Sequence, residues 1–377
     1  MMRRRARSQL FLLIILAIVW SGPVLILQPT PSAQAHDAPL PPIPVGTSPY
    51  AVDVNPTTGK VYVANSRSNN VTMIDRATNS TTNITVGSYP MDVAVNPVTN
   101  RIYVANYQSS NVTVINGATN GTTTVATGLW PYAVAVNQVT NKIYVANRNN
   151  TVTVIDGDTN ATTSVAVGSD PVALAVDTIS NRIYVACQGT YSNPGSVTVI
   201  RGATNITTTI AVENQPYGVA VNPAKNKAYV INRGTANVTV IDGNDNNSTT
   251  TVVAGPNPSA VAVNPVWNRI YVAGSANVTV IDGVTNSTTT LAGGTSPMAV
   301  AVNTITNKVY VANFGSDNVT VIDGATSSTT TIPAGTHPGD VAINMARNEV
   351  YVVNIGSANL TVIVYFPYDT YLPLTSR

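Results

Sequence analysis

Charge is scarce in this chain of 377 residues: Asp, Glu, Lys and Arg together make up 10%, against roughly a quarter in an average globular protein. Aromatic residues are 6%, with a single cysteine and two histidines. A lone Cys187 excludes a disulfide framework within the chain. No Cys-x-x-Cys-His haem attachment, phosphate loop or dinucleotide glycine motif is present, so redox and nucleotide chemistry have no support and no cofactor is implied. Low charge combined with abundant valine, isoleucine and threonine excludes disorder. Nothing past residue 40 has the 3.6-residue apolar spacing of a helix.

The net charge of +2 is set by the first few residues. Arg3, Arg4, Arg5 and Arg7 precede an apolar run from Leu10 to Trp20, and Ala33-Gln34-Ala35 follows. Basic, apolar and Ala-x-Ala segments in that order form the layout of a secretory signal peptide over residues 1–35. Removing them leaves 15 basic against 17 acidic groups, a net of −2, which argues against a nucleic-acid partner. An uncleaved anchor is the other reading, because Val24 to Leu27 prolong the apolar stretch past Gly22-Pro23. Either way, residues 36–377 are expected outside the cytoplasm: in the periplasm, at the cell surface or secreted. Membrane contact is then confined to the N-terminal segment.

What the chain has in abundance is repetition. Tyr-Val pairs recur at Tyr62, Tyr103, Tyr144, Tyr184, Tyr229, Tyr271, Tyr310 and Tyr351, in steps of 41, 41, 40, 45, 42, 39 and 41 residues. An independent marker, a proline opening each unit, falls at Pro49, Pro90, Pro131, Pro171, Pro216, Pro258, Pro297 and Pro338. Both markers give eight copies. Each unit holds four short runs of strand-type residues between Asn, Gly and Pro clusters that read as turns. In the second unit these are Val93-Ala94-Val95, Ile102 to Ala105, Val112 to Ile115 and Thr122 to Val125, here termed strands A to D. Four strands in about 40 residues, repeated without helices, predict an all-β propeller of four-stranded antiparallel blades, forming one domain over residues 36–377. Sheets apolar on both faces must pack against two neighbours, and strand twist turns that stack into a ring.

Closure leaves its own trace. The last unit ends after strand C, Leu360 to Ile363, and lacks the threonine-rich strand D of its predecessors. Gly46 stands three residues before the first opening proline, as Gly87 and Gly128 do before theirs, which places Ile43-Pro44-Val45 in a strand D register. It is expected to complete the last blade, where proline is tolerable at an edge. The competing reading assigns that strand to Tyr368 to Leu374 and leaves residues 36–46 as a linker.

Tyr103-Val104-Ala105-Asn106, Asn111 to Ile115, the turn Asn116-Gly117-Ala118-Thr119-Asn120, and Val95-Asn96-Pro97-x-Thr99-Asn100 together resemble the YVTN β-propeller repeat family. The likeness recurs over residues 43–365. It implies a cell-surface, surface-layer or extracytoplasmic binding protein, and related propellers include lactonases. Two departures stand out. The third motif position is Ala, Val or Ile here and never Thr, and family members are usually drawn with seven blades.

In a propeller the D-to-A and B-to-C connections share one face. Comparing the units with one another shows that this is the variable face. Ser48, Tyr89, Trp130, Asp170, Gln215, Asn257, Ser296 and His337 precede the opening prolines, whereas Tyr50, Met91, Tyr132, Val172, Tyr217, Ser259, Met298 and Gly339 follow them. The B-to-C loops add Arg148 and Arg233. Aromatic residues and arginine on variable loops of a rigid frame are what recognition surfaces use. The candidate ligand-binding residues are therefore Tyr50, Tyr89, Asp92, Trp130, Tyr132, Arg148, Tyr217, Arg233, His337 and Asp340. The ligand class stays open between a protein, a polysaccharide and a small molecule.

Asp92 and Asp340 share one place in strand A, and Asp53 lies between them in the closed ring. Three carboxylates there could hold a cation or move protons, but no Asp-x-Asp-x-Asp run supports a metal. A lactonase-like hydrolase would use Asp92, Asp340 and His337, which stands beside Asp340 and is the only histidine available for catalysis. A self-assembling surface coat, joined through the uniform face or through the outer threonine-rich strands, is the third reading. The aspartates that recur in the Val-Ile-Asp-Gly turns, Asp156 and Asp282 among them, are turn caps, and Cys187 is a buried stand-in for the motif asparagine.

Overall fold

A computed structural model describes residues 36–190 and 195–366. Eight sheets stand around a central axis. Seven have four antiparallel strands in simple up-and-down order. In the second blade these are Pro90–Asn96, Arg101–Asn106, Asn111–Asn116 and Thr122–Ala126. The count of eight follows the sequence, not the seven usual for the resembled family. One short 3-10 turn, Pro223–Lys225, is the only helical element among the described residues.

Burial explains the strand composition. Strands B and C are covered on both faces, so they read as unbroken Ile, Tyr and Val, whereas strand D exposes all but one side chain and reads as threonine. The tyrosine of every Tyr-Val pair is at most 1% exposed. No single core exists: apolar side chains form eight separate layers, each between two adjacent blades. One layer joins Val61 and Ile74 of blade 1 to Tyr351 and Leu360 of blade 8, so the ring is closed.

The N-terminal segment does complete the last blade, and it does so in two pieces. Ile43–Pro44 pairs with Leu360 and Asn359 as anticipated, and His36–Pro39 continues the same edge opposite Ile363 to Phe366. Between the two pieces the Leu40 N–H donates to the Val362 carbonyl at 2.8 Å. Residues 36–39 are thus strand, not linker. Tyr368 to Leu374, the alternative closing strand, lies outside the described residues.

Polar contacts repeat from blade to blade. The asparagine ending strand A turns its Oδ1 onto two N–H groups of its own turn, while its Nδ2 donates to an asparagine in the next blade's A-to-B turn, as in Asn96 to Asn141 at 2.9 Å. The basic residue opening strand B reaches a glycine carbonyl in the next blade's C-to-D turn, as Lys60 Nζ does to Gly117 at 2.9 Å. Both contacts change where blade 8 meets blade 1. Gly59, with φ +72°, stands in place of the receiving asparagine, and the Asn344 Nδ2 is left without a partner. Glu349 opens strand B instead of Lys or Arg, and Arg76 replaces the turn glycine. The two form a buried ion pair at 3.2 Å, each 7% exposed. Arg347 and the Tyr351 hydroxyl also donate to Glu349.

The turn aspartates cap as expected: Asp156 Oδ1 accepts the Asp158 and Thr159 N–H groups, which together with Lys142 holds its carboxyl below the usual range. Cys187 is fully buried at the motif asparagine's place, its thiol pushed up to about 11 by burial.

Candidate functional site

The variable face is built on a backbone frame that ignores side-chain identity. The residue before each opening proline has φ between 48° and 58° in all eight blades. In seven of the blades, blade 6 excepted, its carbonyl accepts an N–H from the B-to-C loop, as Trp130 does from Arg148 at 3.1 Å and Tyr89 from Tyr107 at 3.0 Å. Its own N–H is held in several blades by the left-handed residue of the preceding blade's B-to-C loop, as in Tyr89 to Asn69 Oδ1 and His337 to Asp317 Oδ1, both at 2.8 Å.

Left-handed backbone costs an ordinary L-residue about 1–2 kcal/mol, and asparagine avoids much of that. In the A-to-B turns the left-handed residue is accordingly Asn100, Asn141, Asn181, Asn226, Asn268, Asn307 and Asn348. Before the opening proline the same conformation carries Tyr, Trp, Asp, Gln and His as well as Ser and Asn. Tyr89, Trp130 and Gln215 stand here against the backbone preference for asparagine, as Ser110, Ala236, Ser275 and Ala358 do at the left-handed positions of the B-to-C loops.

One residue beyond the proline, the A–B pairing slips in every blade, with the register shifting between the proline and the second residue after it. A bulge re-aims its extra side chain, and here it aims it at the axis. Tyr50, Met91, Tyr132, Val172, Tyr217, Met298 and Gly339, from seven blades, line a cavity of about 310 Å³ at the channel mouth, together with Asp92, Asp340 and Ile355. The Tyr50 and Tyr132 hydroxyls meet at 3.4 Å, and burial raises the pKa of both. Tyr107 packs edge-on against Tyr132 and touches Tyr89, forming an aromatic arc. Arg148 lies 5.5 Å over the Tyr132 ring and is held by Asp170 through two bonds of 2.5 and 2.6 Å. Arg233 lies 5.2 Å over the Tyr217 ring.

Of the residues singled out from the sequence, Tyr50, Asp92, Tyr132, Tyr217 and Asp340 converge on the mouth, Arg148 and Arg233 flank it, and Tyr89 joins through Tyr107. Trp130, 47% exposed, stands on the rim beside Leu129 at 52%. His337 does not join Asp340. Its ring stacks on Phe314 at 4.4 Å, and no hydrogen bond or ion pair links it to the carboxylate, because left-handed backbone throws it outward toward blade 7. The mouth also uses Met298 and Ile355. The position of Met298 after the proline marked it as variable, whereas nothing in the repeat marks Ile355.

The three strand A carboxylates face the channel but are occupied. Asp340 Oδ2 accepts the Val52 N–H at 2.9 Å, Asp53 Oδ2 that of Val95 at 2.8 Å, and Asp92 Oδ2 that of Val134 at 2.8 Å. Each other oxygen accepts the following residue's N–H. They staple three successive blade junctions, and no group of three or more potential metal ligands gathers among the described residues. Surrounding protein strips water from them, pushing Asp53 up to about 7 and Asp92 up to about 8 and raising Asp340 as well, against the opposing pull of the N–H donors.

The chain resembles solved propellers at low identity. A structure of Kuenenia stuttgartiensis hydrazine synthase is 18% identical with a TM-score of 0.62, over 84% of this chain and 96% of that one. A streptogramin B lyase is 10% identical with a TM-score of 0.59, over 89% and 98%. No family model and no curated protein matches the sequence. At such identities the likeness shows the β-propeller fold alone.

Proposed function

We propose that this protein is an exported binding module of the YVTN repeat type, whose variable face recognises a ligand at the channel mouth. The carrying observation is the ring of left-handed positions that hold Tyr, Trp, Gln and His where the A-to-B turns of seven blades hold Asn. Export rests on the basic, apolar and Ala-x-Ala order of residues 1–35. The test is a thermal-shift screen of sugars, peptides and metabolites, with every hit repeated on Trp130→Ala/Tyr132→Ala. Hits bound equally by parent and variant would refute the mouth as the site. Expression of the full chain with a C-terminal tag, followed by N-terminal sequencing, should return a product starting at His36 outside the cytoplasm. Retention of the tagged chain inside would overturn export.

A second reading, self-assembly through the opposite face, is favoured by one observation. Val98, Val139, Ile179, Val266 and Ile305 occupy equivalent A-to-B turn positions and are 70–73% exposed, an apolar ring of the kind that marks contact surfaces. Sedimentation over a wide concentration range tests it. A monomer throughout excludes it.

A further inference from the structure

A second cavity, of about 390 Å³, opens on the same face between blades 5, 6 and 7 and shares Tyr217 and Met298 with the mouth. No acidic residue lines it, and Arg233 does. The two arginines of this face therefore differ. Arg148 spends its fork on Asp170, whereas Arg233 has no acidic partner among the described residues and is steadied only by its stack on Tyr217. Stacking reduces the freedom a bound anion would otherwise have to freeze out.

The remaining wall divides into frame and free groups. The Ser259 and Ser275 hydroxyls are engaged by the Pro297 and Pro256 carbonyls at 2.5 and 3.0 Å. The Asn257 amide donates to the Ser275 hydroxyl at 3.3 Å, the Ser296 hydroxyl has no hydrogen-bond partner among the described residues, and Phe314, Tyr217 and Met298 supply apolar surface. A planar fork of N–H donors, one free hydroxyl and an aromatic wall with no competing carboxylate match one class of molecule.

We propose that this cavity binds a small monoanion of the carboxylate class, its charge held by Arg233 and Ser296 and its apolar or aromatic body against Tyr217, Met298 and Phe314. This deepens the reading of the variable face as a recognition surface, and it also places the charged end of the ligand off the channel axis.

The test uses the purified protein and benzoate, with binding followed by saturation-transfer NMR and calorimetry at millimolar ligand. Benzoate should bind, the neutral isostere benzamide should bind at least about tenfold more weakly, and Arg233→Gln should weaken benzoate by about tenfold or more. Arg201→Gln, which removes a charge from the opposite face, should leave affinity unchanged. Equal binding of benzamide, an unaltered Arg233→Gln, or displacement of benzoate by an equal concentration of inorganic phosphate overturns the assignment. A parent that keeps its own screening hits at the mouth while ignoring benzoate overturns the anion site alone. Hits insensitive to Trp130→Ala/Tyr132→Ala overturn the mouth reading instead.

Discussion

The joint between the last and first blades offers a sharp energetic test. Glu349 and Arg76 are each 7% exposed and 3.2 Å apart. Burial works to raise the Glu349 carboxyl, and donors on Tyr351, Arg347 and Arg76 outweigh it and hold the group below its ordinary value. Glu349→Gln keeps the shape but leaves the Arg76 guanidinium buried without a counter-charge, a loss of about 3–5 kcal/mol. Glu349→Lys with Arg76 retained buries two cations together and should fare worse. The double variant Arg76→Gly/Glu349→Lys installs at this joint the lysine-to-glycine-carbonyl contact seen between Lys60 and Gly117. It should recover most of the loss, because Arg347 is exposed enough to stay hydrated. Guanidinium unfolding followed by tryptophan fluorescence and far-ultraviolet dichroism measures all four proteins. A loss below about 1 kcal/mol for Glu349→Gln, or a double variant no better than either single, would refute the account of the joint.

Three other outcomes are expected. Asp53 and Asp92 keep a proton in the folded state up to about pH 7 and 8 that the unfolded chain sheds near its ordinary value. Folding is therefore favoured at low pH by these groups and loses that support as pH rises through their folded values. Urea midpoints should fall from pH 5 to pH 9, and Asp92→Asn should flatten the slope; a midpoint rising over that window would contradict it. Tyr62 has a buried hydroxyl with no partner, so Tyr62→Phe should cost under about 0.5 kcal/mol, whereas Tyr351→Phe deprives Glu349 of a donor and should cost about 1–3 kcal/mol; thermal melts compare them. Cys187, fully buried with its thiol raised to about 11, should resist thiol reagents until the protein is unfolded, and rapid labelling of native protein would count against that burial.

The frame was legible from residue spacing because each blade repeats the same burial problem. A strand buried on both faces keeps an apolar residue followed by Tyr-Val in every copy, and the A-to-B turn keeps a left-handed Asn in seven copies and Gly59 in the first. His36–Pro39 escaped notice because its sequence has no strand character; it pairs through backbone, and its Asp37 accepts bonds from Lys308 and Tyr310 of blade 7. Asp53, Asp92 and Asp340 looked available for a cation because their N–H donors come from the neighbouring blade, a partner that only ring geometry supplies. The separation of His337 from Asp340 has the same root, since the direction of a left-handed residue's side chain is not written in the residue type. Arg76 and Glu349 could have been found: each breaks a column otherwise filled by Gly or by Lys and Arg, and the two breaks lie on blades that become adjacent only on closure.

Main-chain bonds between Trp130 and Arg148, and their equivalents around the ring, hold the rim without help from what projects from it. Scaffold and lettering are thereby separable, and a new inscription of up to eight characters could be written at residues 48, 89, 130, 170, 215, 257, 296 and 337 while the underlying barrel staves stay as they are. Under the recognition role proposed above, point mutation alone would change what the face binds, one blade at a time.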